Sequence, residues 1–322
     1  MRLLGLTCGR KMGNSEVLVK EALLSAEELG GIDAELIRLN DLHIKPCTGC
    51  ESCMMRMQKG GVPECLTIKG DDLPWLMSKV VECDGLILGA PVYFLGPPGV
   101  LKVINDRMLP YEVAFFHETK HHTDPRNRTN RVAGLIAVGG GKHSWVAMGL
   151  ALMKCFTFPQ QITVVDQLQV TLANRPGQVL LNDTALERAR KLGRNVAESM
   201  GKPAGEAKYL GEPGLCPVCH SNLIYPGERF QVECAICSCG GTLKPDGDRL
   251  TMVLDERSLS ENRLTIPGRG VHFHEIGEVH AEFFRNVHLV KPKLSKYRTY
   301  KPYSKPGPKG GSLQSGRAAL RA

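Results

Sequence analysis

Apolar residues fall along the first two hundred positions in short runs that alternate with helically spaced segments. Residues 2–7, RLLGLT, form an apolar run that stops at a Cys-Gly turn. The next segment, NSEVLVKEALLSAEELGG, sets Val17, Leu18, Ala22 and Leu23 at helical spacing before Gly30 and Gly31 close it. The couplet recurs: IDAELIRL, GLILGA, RVAGLIAV and ITVVDQLQV predict strands. DDLPWLMSKVVECD, PGVLKVINDRML, HSWVAMGLALMKCF and TALERARKLGRNVAESM predict helices. Five β/α units in succession imply a five-stranded parallel sheet with helices on both faces, because parallel neighbours need crossovers and the crossovers cover the sheet. Ligands of such doubly wound sheets bind beyond the carboxyl ends of the strands. The loops to inspect are therefore TCGRKMGNSE, GAPVYFLGPPG and VGGGKHSW, after strands one, three and four.

The pattern changes after a Gly/Pro-rich linker, GKPAGEAKYLGEPG. The boundaries read as a doubly wound α/β domain over 1–202 with a Cys-rich insertion over 45–66, a linker over 203–214, a small β-rich domain over 215–290 and a basic tail over 291–322. RLTMVLD, RLTIPGRGVHFHEIGEV and AEFFRNVHLV predict antiparallel strands from their alternating or aromatic-rich character. His272, His274 and His280 then sit on a solvated strand face, with metal binding as the lesser reading.

Length and composition support two soluble domains: 322 residues, 42% apolar and 23% charged. No apolar run approaches the roughly 20 residues of a membrane span, and the N-terminus lacks a signal-peptide pattern, so the cytoplasm is the expected location. The net charge of +8 belongs to the tail, where residues 291–322 carry nine Lys or Arg and no acid, which leaves −1 for the rest. A Pro-, Gly- and Lys-rich tail cannot build a core and is expected to stay solvated. Nucleic acid is only weakly indicated as its partner, since Tyr297, Tyr300 and Tyr303 are the sole interleaved aromatics.

Twelve cysteines change the picture more, because nine crowd into two windows, which points to metal rather than disulfides. Cys83 and Cys155 stand apart and read as buried thiols. Cys47, Cys50 and Cys53 follow a C-x2-C-x2-C run, and eleven residues separate Cys53 from Cys65. One turning loop can wrap three corners of a 4Fe-4S cluster in this way, with Cys65 as the fourth ligand. Bare thiols and zinc remain the alternatives. The second window, Cys216-x2-Cys219 and Cys234-x2-Cys237, has the paired knuckles of a zinc ribbon, with a single iron as runner-up metal and Cys239 as a spare. Four thiolates leave no open position for water, so that zinc reads as structural.

The first loop carries Gly9, Arg10, Lys11, Gly13, Asn14 and Ser15 at a helix N-terminus, which suits a phosphate. It matches neither the G-x-G-x-x-G fingerprint nor a Walker loop, and Asn14 or Ser15 can be a plain helix cap. With CDGLILGAPVYFLGPPGVLKVINDR from Cys83 to Arg107 and the NDLHIKPCTGCESC segment, residues 1 to about 200 resemble the NADPH-dependent FMN reductase family, in particular its iron-sulfur flavoprotein branch. The resemblance implies a flavodoxin-like fold with non-covalent FMN. It assigns Arg10, Lys11, Asn14 and Ser15 to the phosphate. It assigns Pro91, Val92, Tyr93 and Phe94 to the ribityl chain and ring, and Gly139, Gly140, Gly141 and Lys142 to the pyrimidine side. Cys8 departs from the small residue usual after the first strand. His143 and Trp145 either reach the ring or begin a packed helix.

Nothing in the first domain resembles a Ser-His-Asp constellation, and Asp71 and Asp72 read as a helix N-terminus. The chemistry is then the cofactor's. The reading is a flavin-dependent oxidoreductase passing electrons between NAD(P)H, or a reduced carrier such as ferredoxin, FMN and a 4Fe-4S cluster, with a homodimer or homotetramer implied by the resemblance. The alternatives are an NAD(P)H:flavin or quinone reductase without a cluster, and a redox-sensing zinc-ribbon protein that binds a partner or nucleic acid.

Overall fold

Strand β1 (Arg2–Thr7) sends Leu4 and Leu6 to one face of a sheet and Leu3 to the other, all three fully buried, as the two-residue period of a strand requires. The computed structural model describes residues 1–118 and 121–303. After β1 come α1 (Asn14–Glu27), β2 (Asp33–Arg38), α2 (Ser52–Gln58), α3 (Leu73–Glu82), β3 (Gly85–Pro91), α4 (Gly99–Asn105) and α5 (Val113–Glu118). Then follow β4 (Val132–Val138), α6 (Gly149–Thr157), β5 (Thr163–Val170) and α7 (Asp183–Ser199). The strands pair in parallel in the order β2-β1-β3-β4-β5, the flavodoxin-type doubly wound order. The order reverses between β1 and β3, and a crevice must open there.

Each face has its own core. Leu18, Val19, Ala22 and Leu23 of α1 join Leu192 and Val196 of α7 against Leu3, Ile87 and Ile136. Leu73, Leu76, Met77 and Val80 of α3, with Leu101 and Ile104 of α4 and Met153 and Phe156 of α6, cover Leu4, Leu6, Leu86, Leu88 and Leu135. α1 and α7 approach so closely that a Cβ on Gly193 would lie 1.9 Å from the Ala22 carbonyl oxygen. No other residue fits there.

The small domain holds β6 (Ile224–Pro226), β7 (Val232–Cys234), β8 (Gly240–Asp246) and β9 (Arg249–Leu254), an antiparallel sheet in sequential order, followed by α8 (Arg257–Ser260) and α9 (Ile266–Arg298). The expected strands over 263–290 are corrected: this stretch is mostly α9. Its aromatic and β-branched residues favour a strand only locally, whereas Ile276, Phe283, Val287, Val290 and Leu294 recur at helical spacing, which wins over a run this long. His272 and His274 therefore point to different sides of a helix rather than to one strand face.

By internal contacts the chain divides into two units, residues 1–274 and a second from Glu275, whose described part is the remainder of α9 and residues 299–303. The first eight residues of the expected basic tail are helical; residues 304–322 of it lie outside the described residues. No helix among the described residues is long and apolar enough to cross a membrane.

Candidate functional site

The loops after β1, β3, β4 and β5 meet over the point where the strand order turns. Gly9, Arg10, Gly13, Asn14 and Ser15 line a cavity of about 140 Å³ with Pro91, Val92 and Tyr93 of the second loop, Gly140 of the third, and Ala173, Asn174 and Pro176 of the fourth. Of the residues the sequence assigned, Lys11, Phe94, Gly139, Gly141 and Lys142 are not among those that line it. The loop after β5 was missed. The rule that ligands sit at strand carboxyl ends applies to it equally, and its ANRPG segment was a usable signal.

At the α1 end of the cavity the first N–H groups of α1 have no partner within the helix, and the Arg10 cation and Ser15 hydroxyl stand beside them. A Cβ on Gly9 would come within 2.9 Å of Ser15 Oγ and 3.2 Å of the Pro91 ring, so only glycine leaves the cradle open. The donor set fits a phosphate monoester such as that of FMN. Asn14, which also lines the cavity, ties two loops together. Its Nδ2 donates to the Ala173 and Arg175 carbonyls at 3.0 and 2.9 Å, and its Oδ1 accepts from Val179 N–H at 3.1 Å. The side chain thus clips the fourth loop to α1. Cys8 lies outside the cradle: its thiol points at the Gly89 carbonyl, and burial pushes it up to about 12.

In the loop after β3, Tyr93 N–H donates to Gly96 O at 2.7 Å and Gly96 N–H to Tyr93 O at 3.3 Å, closing a four-residue turn. Its central residues, Phe94 and Leu95, both sit at positive φ, +47° and +74°. Two bulky residues in the left-handed region, with the Phe94 ring fully exposed, mark local backbone strain. Trp145 is also mostly exposed, and its Cβ packs where a Cβ on Gly141 would lie. Tyr93, Phe94, Leu95 and Trp145 are exposed apolar side chains on the loops after β3 and β4. His143, in a short 3₁₀ turn before α6, accepts at Nδ1 from Gln169 Nε2 at 3.0 Å.

The cysteine-rich insertion is fastened at its neck. Arg107, nearly inaccessible, pairs with Asp71 and donates to the Lys45 carbonyl at 3.1 Å, while Lys45 N–H donates to Asp71 at 3.0 Å. Burial opposes the Asp71 charge, but the Arg107 hydrogen bond and charge together with Lys45 hold its carboxyl below the ordinary range. Asp72 N-caps α3 by position and accepts from His43 N–H at 2.6 Å. Within the insertion Cys47 and Cys50 are exposed, while Cys53 and Cys65 are half-buried. Hydrogen bonds with Ser52 and then Thr67 pull the Cys50 thiol down to about 6, and burial raises that of Cys53. The four do not form a ligand set among the described residues.

Cys216, Cys219, Cys234 and Cys237 do. All four are buried, and their sulfurs lie within 4.8 Å of one another. The knuckles match: His220 N–H donates to Cys216 O at 2.8 Å and Ser238 N–H to Cys234 O at 2.9 Å, and the residue after each second cysteine is left-handed, at φ +55° and +62°. Contacts led by that with Cys216 pull the Cys234 thiol down and push Cys219 and Cys237 up. Four soft, convergent donors fit a tetrahedral Zn²⁺ or a single iron. The spare Cys239 instead points toward the Ser258 carbonyl at 3.8 Å. Two side chains of the flavodoxin-like domain reach this centre: Lys154 Nζ donates to Cys219 O at 2.7 Å and Gln167 to His220 O at 2.7 Å.

Comparison with known proteins accords with this geometry. Residues 1–177 match the family described as NADPH-dependent FMN reductase. The chain is 31% identical to a flavone synthase of Aspergillus candidus over 288 residues, which covers 86% of this chain and 88% of that protein. An iron-sulfur flavoprotein of Methanocaldococcus jannaschii is 33% identical over 207 residues, covering 62% of this chain and 96% of its own. A solved flavone reductase superposes with a TM-score of 0.80 at 25% identity, covering 95% of this chain and all of that one.

Proposed function

This chain belongs to the NADPH-dependent FMN reductase family and is a flavin-dependent oxidoreductase; from that premise we propose that it moves two electrons between NAD(P)H and a planar, aryl-conjugated enone of the flavone class. The observation that carries this reading is the extent of the likeness. The flavone synthase and the flavone reductase match most of this chain, well beyond the first domain, whereas the iron-sulfur flavoprotein matches 62% of it. A flavone and its 2,3-dihydro form differ by two hydrogens across one carbon–carbon bond, so one flavin site serves either direction.

Bound FMN would supply the hydride chemistry. Arg10, Ser15 and the α1 N-terminus would hold its phosphate, Pro91, Val92 and Tyr93 would line its ring, and Asn14 would keep the fourth loop in place. The exposed Tyr93, Phe94, Leu95 and Trp145 on the loops after β3 and β4 support a flat apolar substrate, because exposed aromatic faces gain by stacking on one and by losing water. Titrating a flavone into the oxidised FMN-loaded protein should give a saturable shift of the flavin absorption band. A spectrum unchanged up to the solubility limit of the flavone would defeat the proposal.

A second reading is an iron-sulfur flavoprotein in which Cys47, Cys50, Cys53 and Cys65 hold a 4Fe-4S cluster and exchange electrons with a carrier such as ferredoxin. The C-x2-C-x2-C run and the iron-sulfur relative favour it. Stoichiometric acid-labile sulfide in anaerobically purified protein, lost in Cys50→Ala, would establish it; zinc alone would remove it.

A further inference from the structure

The first cysteine knuckle holds more together than its own metal. The carbonyls of Cys219 and His220 accept from Lys154 on α6 and Gln167 on β5, each at 2.7 Å, and the His220 ring stacks on Tyr209 of the linker, centroids 3.6 Å apart and planes 18° from parallel. The next linker residue, Leu210, donates its N–H to the Val165 carbonyl of β5 at 2.7 Å. The second knuckle is tied within the small domain instead: Arg263 N–H donates to Cys237 O at 2.8 Å, and its guanidinium donates to Ala235 O at 2.8 Å. Opening the first knuckle therefore loosens the linker and the seat of the small domain on α6 and β5 together.

The same knuckle is open to a small molecule. Cys216, Cys234 and Cys237 are wholly buried, whereas Cys219 keeps 7% of its surface and, with Lys154, Thr157, Thr163, Val218 and Leu264, lines a cavity of about 150 Å³. That is room for a few molecules the size of water. We propose that Cys219 is oxidised there by hydrogen peroxide and that Cys234, whose sulfur lies 3.4 Å from that of Cys219, resolves the product. A thiolate is the nucleophilic form of cysteine, and metal ligation keeps Cys219 in that form. Its sulfur attacks one peroxide oxygen; the S–O bond forms as the O–O bond breaks, leaving a sulfenic acid and a hydroxide ion. The Lys154 ammonium, whose one acceptor among the described residues is the Cys219 carbonyl, has further N–H groups to steady the charge growing on that oxygen. The Cys234 thiolate then attacks the Cys219 sulfur, the S–S bond forms as the S–O bond breaks, and a second hydroxide leaves. Two sulfurs have each lost one electron, the peroxide has gained two, and both hydroxides are protonated from solvent. With two of its four ligands joined to each other, the metal is released. Reduced flavin passes two electrons to dioxygen and yields peroxide, so a flavin oxidoreductase makes this oxidant itself.

The test treats the full-length protein, loaded with its metal and FMN, with a small excess of hydrogen peroxide. Free thiols are then alkylated, disulfides are mapped by peptide mass spectrometry, and metal per chain is measured after desalting. The first disulfide among the five cysteines of the small domain should join Cys219 to Cys234, and metal content should fall in step with it. Trypsin should then cut the linker after Lys208 about tenfold faster than before oxidation, as a segment released from its anchors is cut. Val218→Phe narrows the cavity and should slow metal release severalfold; the disulfide map of the wild-type protein stands even where that variant folds poorly. Metal retained while the exposed Cys47 and Cys50 oxidise, a first small-domain disulfide between any other pair, or a linker cut at the same rate before and after would each overturn the proposal.

Discussion

The ammonium of Lys154, carried on α6 of the flavodoxin-like domain and almost wholly buried, donates at 2.7 Å to the carbonyl of Cys219 in the first cysteine knuckle. A metal held by four thiolates carries net negative charge, and a buried cation alongside offsets it; burial works against Lys154, and the thiolates work for it. Lys154→Met should therefore weaken metal retention about 10- to 100-fold in chelator competition. FMN affinity should stay unchanged, and Lys154→Arg should restore part of the loss. Equal retention in Lys154→Met would show the charge to be idle.

Asn14→Ala removes three hydrogen bonds between α1 and the loop after β5 and strands the Val179 N–H, which is otherwise satisfied by Asn14 alone among its described partners. An orphaned buried donor costs about 1–3 kcal/mol. The variant should melt earlier by a corresponding amount and bind FMN about tenfold more weakly, as isothermal titration would record. Normal affinity would mean that the fourth loop takes no part in the site.

The Asp71–Arg107 pair governs the neck of the cysteine-rich insertion. Arg107→Met leaves a buried carboxylate without its countercharge, a loss of about 3–5 kcal/mol, and Asp71→Asn with Arg107→Met should recover part of it. Asp71 has its carboxyl held below the ordinary 3.8, so its stabilising contribution is complete above that pH and is lost as the pH falls through the lowered value. Proteolysis of the 45–71 loop in the wild-type protein should rise only below about pH 4. A rise already present at neutral pH would contradict the clamp.

Phe94 sits at positive φ with its ring fully in solvent, so Phe94→Gly should relieve strain and surrender no packing. The melting temperature should hold or rise while the apparent KM for a flavone increases severalfold. A fall in stability with unchanged KM would place Phe94 among structural residues.

How much of this could be read from the chain follows from where the information is local. The β/α couplets are local, since Leu3, Leu4 and Leu6 announce both the strand and its two buried faces, and the paired C-x2-C knuckles fix their own turns. Asn14 was legible as a residue near phosphate but not as a clip, because its three partners lie about 160 positions away. Lys154 was hidden for the same reason: only the packing of two domains brings an α6 lysine to a distant knuckle. α9 is not legible locally, because its aromatic and β-branched residues suggest strands over windows of seven or eight, whereas its helical repeat needs more than twenty residues to stand out.

The central claim, a two-electron flavin site for a flavone-type enone, is tested most directly by anaerobic incubation of the FMN-loaded protein with NADPH and a flavone, followed by mass spectrometry. The predicted result is a product two mass units heavier, formed one for one with NADPH oxidised. Flavone recovered unchanged, with NADPH consumed only after addition of free flavin or quinone, would contradict it.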